Sequence, residues 1–208
     1  MYKKFLRFLL KFLFFRRKEI FGRGNFYQSL PILQILGQRP TDYRIDCYGI
    51  EHFITKKTSV LDIGCNVGFF DITIADKVRN VYGIEYNKQL VRIAKIARVG
   101  LFIRNVKFVC ADFKKWCKSN RQTFDVILSF AVHRWIGMDV DKYCGVLYEM
   151  LNDGGTIIFE SQNIDNDKSV FYEHLNCFRK YGMEVLKEGI IKDDNVIERF
   201  FVILKKRK

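Results

Sequence analysis

The sequence predicts an α/β protein with one mostly parallel, seven-stranded sheet covered by helices on both faces. Three observations carry this expectation. Apolar strand-like runs alternate with helix-period segments from residue 60 to residue 160. A glycine-punctuated turn follows the first run. Two further strand-like runs close the chain and form a hairpin.

The elements follow in order. Val60-Leu61-Asp62-Ile63 reads as a strand and leads into the turn Gly64-Cys65-Asn66-Val67-Gly68. Residues 69–77 have helical spacing, with Phe70, Ile74 and Val78 near one face. Residues 80–85 read as a strand ending in Glu85. Residues 88–99 place Leu90, Ile93, Ala94, Ile96 and Ala97 at helical intervals. Residues 106–112 are a strand ending in Asp112. Residues 124–131 are a continuous apolar strand of the fully buried kind. A helix over 140–151 is expected to stop at Asn152-Asp153-Gly154-Gly155, and a strand follows at 156–160. Residues 183–192 and 198–204 are the closing hairpin, with its turn at Asp193-Asp194-Asn195.

Two features of this order concern binding. Glycines at 64 and 68 let backbone approach a ligand closely, because no Cβ stands in the way, and Asn66 tolerates positive φ between them. Glu85 lies about one βαβ unit beyond Gly64, the separation at which a carboxylate reaches a ribose diol.

The stretch from Val60 to Phe70 resembles motif I of the class I S-adenosylmethionine (SAM) methyltransferases, with Asn66 in place of the middle glycine. The Ala111-Asp112-Phe113 step and the late hairpin are also similar to that superfamily, and the likeness covers about residues 40–205. The resemblance implies a Rossmann-like class I methyltransferase fold, SAM as cofactor and an enzyme that transfers methyl groups. It further implies that Asp62, Gly64 and Gly68, with Cys65 and Asn66, shape the pocket for the methionine half. Glu85 would hold the ribose hydroxyls, Asp112 and Phe113 the adenine, and Ser129 would border the cofactor. The wording around Gly64–Gly68, 129–137 and 154–163 is similar to two subsets of the superfamily. One is the RNA 5′-phosphate methyl-capping family; the other comprises bacterial methyltransferases associated with surface polysaccharides.

In an open α/β sheet, ligands sit beyond the carboxyl ends of the strands. Residues 129–136 should therefore border the transferred methyl group. His133 is a candidate general base there. Arg134 offers a planar fork for phosphate or carboxylate, and Trp135 a face for a sugar or base. Each also has a plain alternative, packing or solvation at the sheet edge. Arg39 and Arg44, ahead of the first strand, are further candidates for acceptor contact. Three dispersed histidines and six cysteines without a Cys-x-x-Cys pair give no metal spacing. The thiols fit a reduced, cytoplasmic setting.

Net charge is +13, which invites a nucleic-acid reading. Its location points elsewhere. Residues 1–18 hold seven Lys or Arg and no acid, residues 205–208 hold four more, and the span between holds 25 basic against 23 acidic residues. The first tail has basic residues at helical spacing among Phe and Leu, the pattern of an interfacial helix on an anionic membrane surface. Its apolar runs are too short for a span. Packing on its own domain or on a second copy is the alternative.

The chain divides on this reading into a basic amphipathic helix (1–21), a connecting, substrate-side segment (22–50) and a SAM-binding domain (51–208). The favoured function is O-methylation of a membrane-proximal glycan, lipid-linked sugar or phosphate, peripherally on the inner face of the membrane. RNA is the alternative acceptor. A non-catalytic nucleotide-binding scaffold that docks through the first helix is the third reading.

Overall fold

A computed structural model describes residues 1–16, 25–162, 168–192 and 198–207. Lys18, Gly22, Gly24 and the expected turn at Asp193–Asn195 lie outside them.

The centre of the molecule is β3 (Ser59–Ile63), a strand buried along its whole length. It pairs in parallel with β4 (Asn80–Glu85) on one side and β6 (Phe124–Phe130) on the other. Outside these lie β5 (Val106–Cys110) and β7 (Leu151–Glu160), also parallel to their neighbours. The hairpin strands β8 (Glu184–Ile191) and β9 (Arg199–Lys205) complete the sheet, with β9 inserted antiparallel between β7 and β8. The resulting order is β5-β4-β3-β6-β7-β9-β8. Chain direction around the sheet reverses between β3 and β6, so a crevice opens at their carboxyl ends.

Helices cover both faces because side chains on each strand alternate between two cores. Val60 joins a core shared with α3 (Phe69–Ile74) and α4 (Lys88–Gly100). Leu61 and Ile63 join one shared with α7 (Val140–Met150) and α8 (Ser169–Lys180). The short α5 (Phe113–Ser119) sits on this second face. Asn87 caps α4 by accepting from the backbone N–H groups of Gln89 and Leu90, and Asp139 caps α7 through Lys142 N–H.

One detail differs from the sequence expectation, and the connecting segment has structure of its own. The helix over 140–151 ends at Met150, but Asn152–Gly155 do not terminate a segment; they belong to β7, whose register shifts opposite Phe124 and Val126. Gly154 supplies the positive φ, +75°, that this irregularity needs. In the connecting segment, Pro31–Leu33 form one 3-10 turn. Around it β1 (Phe26–Gln28) and β2 (Gly37–Arg39) pair in a small parallel sheet. A Cβ at Gly37 would stand 2.2 Å from the Gln28 carbonyl carbon, so only glycine fits that crossing. Helix α2 (Thr41–Tyr48) then ends at Gly49 in the left-handed conformation, which glycine adopts without strain.

The N-terminal helix α1 (Tyr2–Phe15) packs on its own domain through Leu6, Leu10 and Phe14, a single i, i+4, i+8 stripe. Leu6 lies over Gly100 of α4, the Tyr2 hydroxyl donates to Gly100 O at 2.8 Å, and Phe14 stacks on Phe26 at 4.1 Å. The opposite face leaves Phe5, Phe8, Phe12 and Phe15 in solvent. Among the described residues no helix is long and apolar enough to cross a membrane.

Candidate cofactor and acceptor site

The turn after β3 is built from backbone. Gly64, Asn66 and Gly68 all have positive φ, at +76°, +54° and +66°. A Cβ on Gly64 would lie 2.4 Å from Val132 Cγ2, and one on Gly68 2.3 Å from the Phe108 ring. Gly64 N–H and Cys65 N–H both donate to Ile84 O, which anchors the turn to the neighbouring strand. Asn66 Oδ1 accepts from Val67 N–H. Gln28, a residue the sequence reading does not single out, reaches in from β1. Its Oε1 accepts from Phe69 N–H at 3.0 Å and Phe70 N–H at 3.4 Å, in place of a side-chain cap on Gly68.

Glu85 leaves the end of β4 towards the same turn. Its carboxylate accepts from Asn66 N–H at 3.0 Å and from Asn87 N–H at 2.8 Å, one bond to each oxygen. Asp112 caps α5 through Lys115 N–H and is half-buried, so capping and ligand contact are compatible. Phe113 is buried against Trp116 and Tyr143. Ser129 is fully buried, its hydroxyl 2.8 Å from that of Tyr143. Cys65 is buried, and burial pushes its thiol up well above the ordinary range.

Asp62 is the most deeply placed acid of the site, 1% exposed at the carboxyl end of β3. Beside it stands Asp71 of α3, wholly buried. Burial is the first cause that raises both carboxyls, and their mutual repulsion raises Asp71 further.

On the acceptor side, His133 opens the short α6 (His133–Ile136). Its Nε2 lies 2.8 Å from Met138 O and its Nδ1 2.8 Å from Nε2 of His174, whose Nδ1 in turn lies 2.7 Å from Val170 O. The two carbonyls only accept, so the outer nitrogens carry the protons of two neutral rings and the inner contact needs one more. Burial opposes that extra charge. It lowers His133 and holds His174 down to about 4. Service as a base requires His133 to break one of these two contacts, since its unprotonated nitrogen faces His174. Arg134 and Trp135 are exposed at the mouth.

Arg39 and Arg44 are not presented to solvent; they are 0% and 1% exposed. Arg44 pairs with Glu160 at the end of β7, donates to the Tyr48 hydroxyl at 2.7 Å, and lies 4.8 Å over the Phe130 ring. Arg199 donates to the other Glu160 oxygen at 2.9 Å. Burial alone would raise Glu160, but the two guanidinium groups hold it down to about 2.

A parallel sheet with one inserted antiparallel strand, a glycine turn after its central strand and an acid at the end of the next define the class I SAM-dependent methyltransferase fold. A sequence profile described as a methyltransferase domain matches residues 54–196, and the chain belongs to that family. The domain is therefore an enzyme domain of the SAM-dependent class, with S-adenosylmethionine as its cofactor. The U6 snRNA methylphosphate capping enzyme of Drosophila melanogaster is 29% identical over 167 residues, 71% of this chain and 55% of that protein. An uncharacterized RNA methyltransferase of Mycoplasma mobile is 30% identical over 139 residues, 66% of this chain and 36% of that one. The chain thus spans about half or less of these relatives' lengths. Among solved structures, the N-methyltransferase NodS from Bradyrhizobium japonicum, in complex with S-adenosyl-L-homocysteine, superposes with a TM-score of 0.62 at 13% identity, over 80% of this chain and 88% of that one.

The residues present fit this cofactor. Among the described residues no donor reaches Asp62 Oδ2, a buried acceptor suited to an ammonium group. The positive-φ turn is pinned by its own backbone bonds, and Glu85 is oriented by the N–H groups of Asn66 and Asn87, as a carboxylate facing a diol would be. When bound, the cofactor supplies a methyl group already activated on sulfonium. The protein's task is then alignment and exclusion of water.

Proposed function

We propose that this domain transfers a methyl group from SAM to an RNA, at an anionic phosphate oxygen. The observation that carries the reading is a groove of about 750 Å³ between α1 and α4, with an apolar floor of Leu6, Leu9, Val91, Ile96 and Val99 and with Tyr2, Phe5, Lys88, Arg92 and Lys95 also in its lining, reaching Cys110. Neither helix contains an acid. Aromatic faces among unopposed cations suit a single-stranded, phosphate-bearing polymer. Lys88 follows Glu85 by three residues and Cys110 precedes Asp112 by two, which on this reading would set the groove beside the nucleoside half of the cofactor. Both curated relatives carry RNA methylation in their names. A phosphate oxygen also needs no base, in keeping with a His133 whose ring nitrogens are both engaged.

A second reading keeps the enzyme and changes the acceptor to a glycan or lipid-linked sugar at an anionic membrane surface. The exposed row Phe5, Phe8, Phe12 and Phe15, with Lys4 and Lys11 alongside, supports it. The deciding experiment supplies labelled SAM and a cell extract, then separates RNA from lipid and glycan fractions. Label in RNA, with binding that weakens steeply as salt rises, is the expected result. Label confined to the lipid or glycan fraction, with co-sedimentation on anionic phospholipid vesicles lost in Phe8→Ser, would replace the RNA reading with the membrane one.

A further inference from the structure

We propose that Asp71 is a positioning residue for the cofactor, sharing a proton with Asp62 so that occupancy of the pocket releases a proton to solvent. The inference rests on the SAM pocket and is independent of the acceptor.

Asp71 sits in the first turn of α3 at a position that faces the sheet, where helical periodicity calls for an apolar side chain. It is 0% exposed, and among the described residues no hydrogen-bond donor reaches either of its oxygens. Space for it comes from Gly83 of β4, the residue directly opposite Asp62 in the sheet register. A Cβ on Gly83 would lie 2.6 Å from Asp71 Oδ2 and 2.9 Å from Cys65 Sγ. The fold therefore makes room for a second carboxyl beside the first, and among the described residues no donor reaches Asp62 Oδ2 or either Asp71 oxygen. Two buried carboxylates in hydrogen-bond contact do not both ionise. A proton between them satisfies one oxygen of each and leaves the remaining Asp62 oxygen for a ligand.

The other groups acting on the pair come from every side. Glu85, at the end of β4, raises Asp62 further; Arg44, from α2, lowers it. Cys65 from the turn and Tyr143 from α7 are both raised by burial, so neither takes the pair's proton near neutrality. Burial pushes Asp62 up to about 7, against the lowering effect of its hydrogen bond with Asp71 and of the Arg44 charge.

The step balances simply. Below neutrality both carboxyls are protonated. An ammonium group set against Asp62 Oδ2 favours its carboxylate. One proton passes to solvent, while Asp71 keeps its own and donates it to Asp62. No bond other than O–H breaks.

The test is calorimetric titration with S-adenosyl-L-homocysteine, which carries the ammonium group and requires no acceptor, in buffers of different ionisation enthalpy. For the wild type we expect net proton release at pH 6, none at pH 8.5, and an affinity about five- to tenfold weaker at pH 6 than at pH 7.5. In Asp71→Asn the amide donates to Asp62 without a second charge. Its affinity should change by less than about twofold over that range, with no proton release. Wild-type binding without proton release at pH 6 would overturn the inference, whatever the variant's folding. Equal proton release from wild type and a folded Asp71→Asn would do the same. Absence of any binding would refute the cofactor reading itself, and failure of methyl transfer to RNA would leave both intact.

Discussion

Arg44 and Glu160 stand 116 residues apart in the sequence and meet in an ion pair with almost no solvent contact on either side chain. The pair ties the segment before the first sheet strand to the carboxyl end of β7. Tyr48 and Arg199 complete it, so one carboxylate holds α2, β7 and β9 together at the edge of the site.

Removing the charge of Glu160 takes their shared carboxylate from the buried Arg44 and from Arg199. Glu160→Gln is expected to cost about 3–5 kcal/mol in denaturant unfolding at pH 7. The sign with pH follows from a carboxyl held down in the folded state. Its stabilisation is complete above the ordinary glutamate range, near pH 4.3, and is lost as pH falls through about 2. The gap between wild type and Glu160→Gln should therefore narrow in acid. A gap that stays constant down to pH 2.5 would contradict the assignment.

Gln28 satisfies two backbone donors at the start of α3. Gln28→Ala strands both inside the protein, at a cost of about 1–3 kcal/mol. Because α3 carries Asp71, the loss should also weaken S-adenosyl-L-homocysteine binding. Thermal melts with and without that ligand separate the two effects. An unchanged melting temperature would show that water replaces the amide.

The imidazole pair has the opposite sense to a stabilising cation. Burial lowers both rings, so their contribution is present above the ordinary imidazole range, near pH 6.5, and is lost as pH falls through the folded value. For His174 that value is about 4. His174→Phe, beside the stacked Phe159, should remove up to roughly 3 kcal/mol of wild-type acid destabilisation between pH 6.5 and 4. Parallel stability curves for the two proteins would show that the ring is not held neutral by burial.

The sheet was the most legible part of the sequence, since long apolar runs at 60–63, 80–85, 106–110 and 124–130 have no helical alternative of suitable length. The positive-φ turn was legible for the same reason, because Gly64, Asn66 and Gly68 are the residue types that conformation selects. Burial of charge was not. Arg39 and Arg44 look like surface cations, and only a partner 116 residues away explains the second. Asp71 falls in a helix with nothing local to mark its pairing with Asp62. The reading is silent on α8, although its His174 is the contact of His133. The first helix was legible as amphipathic, but its sequence offers two apolar faces. Tertiary packing, through Gly100, selects the one that carries Leu6 and Leu10.

The central claim is that Gly64–Gly68 and Glu85 form one pocket for an adenosyl ligand. Titration of S-adenosyl-L-homocysteine into wild type and Glu85→Ala tests it most directly. Saturable one-to-one binding that weakens by at least about tenfold in a folded Glu85→Ala, roughly the loss of one charge-assisted hydrogen bond, is the predicted result. Equal affinity in the two proteins, or no binding by the wild type, would contradict it.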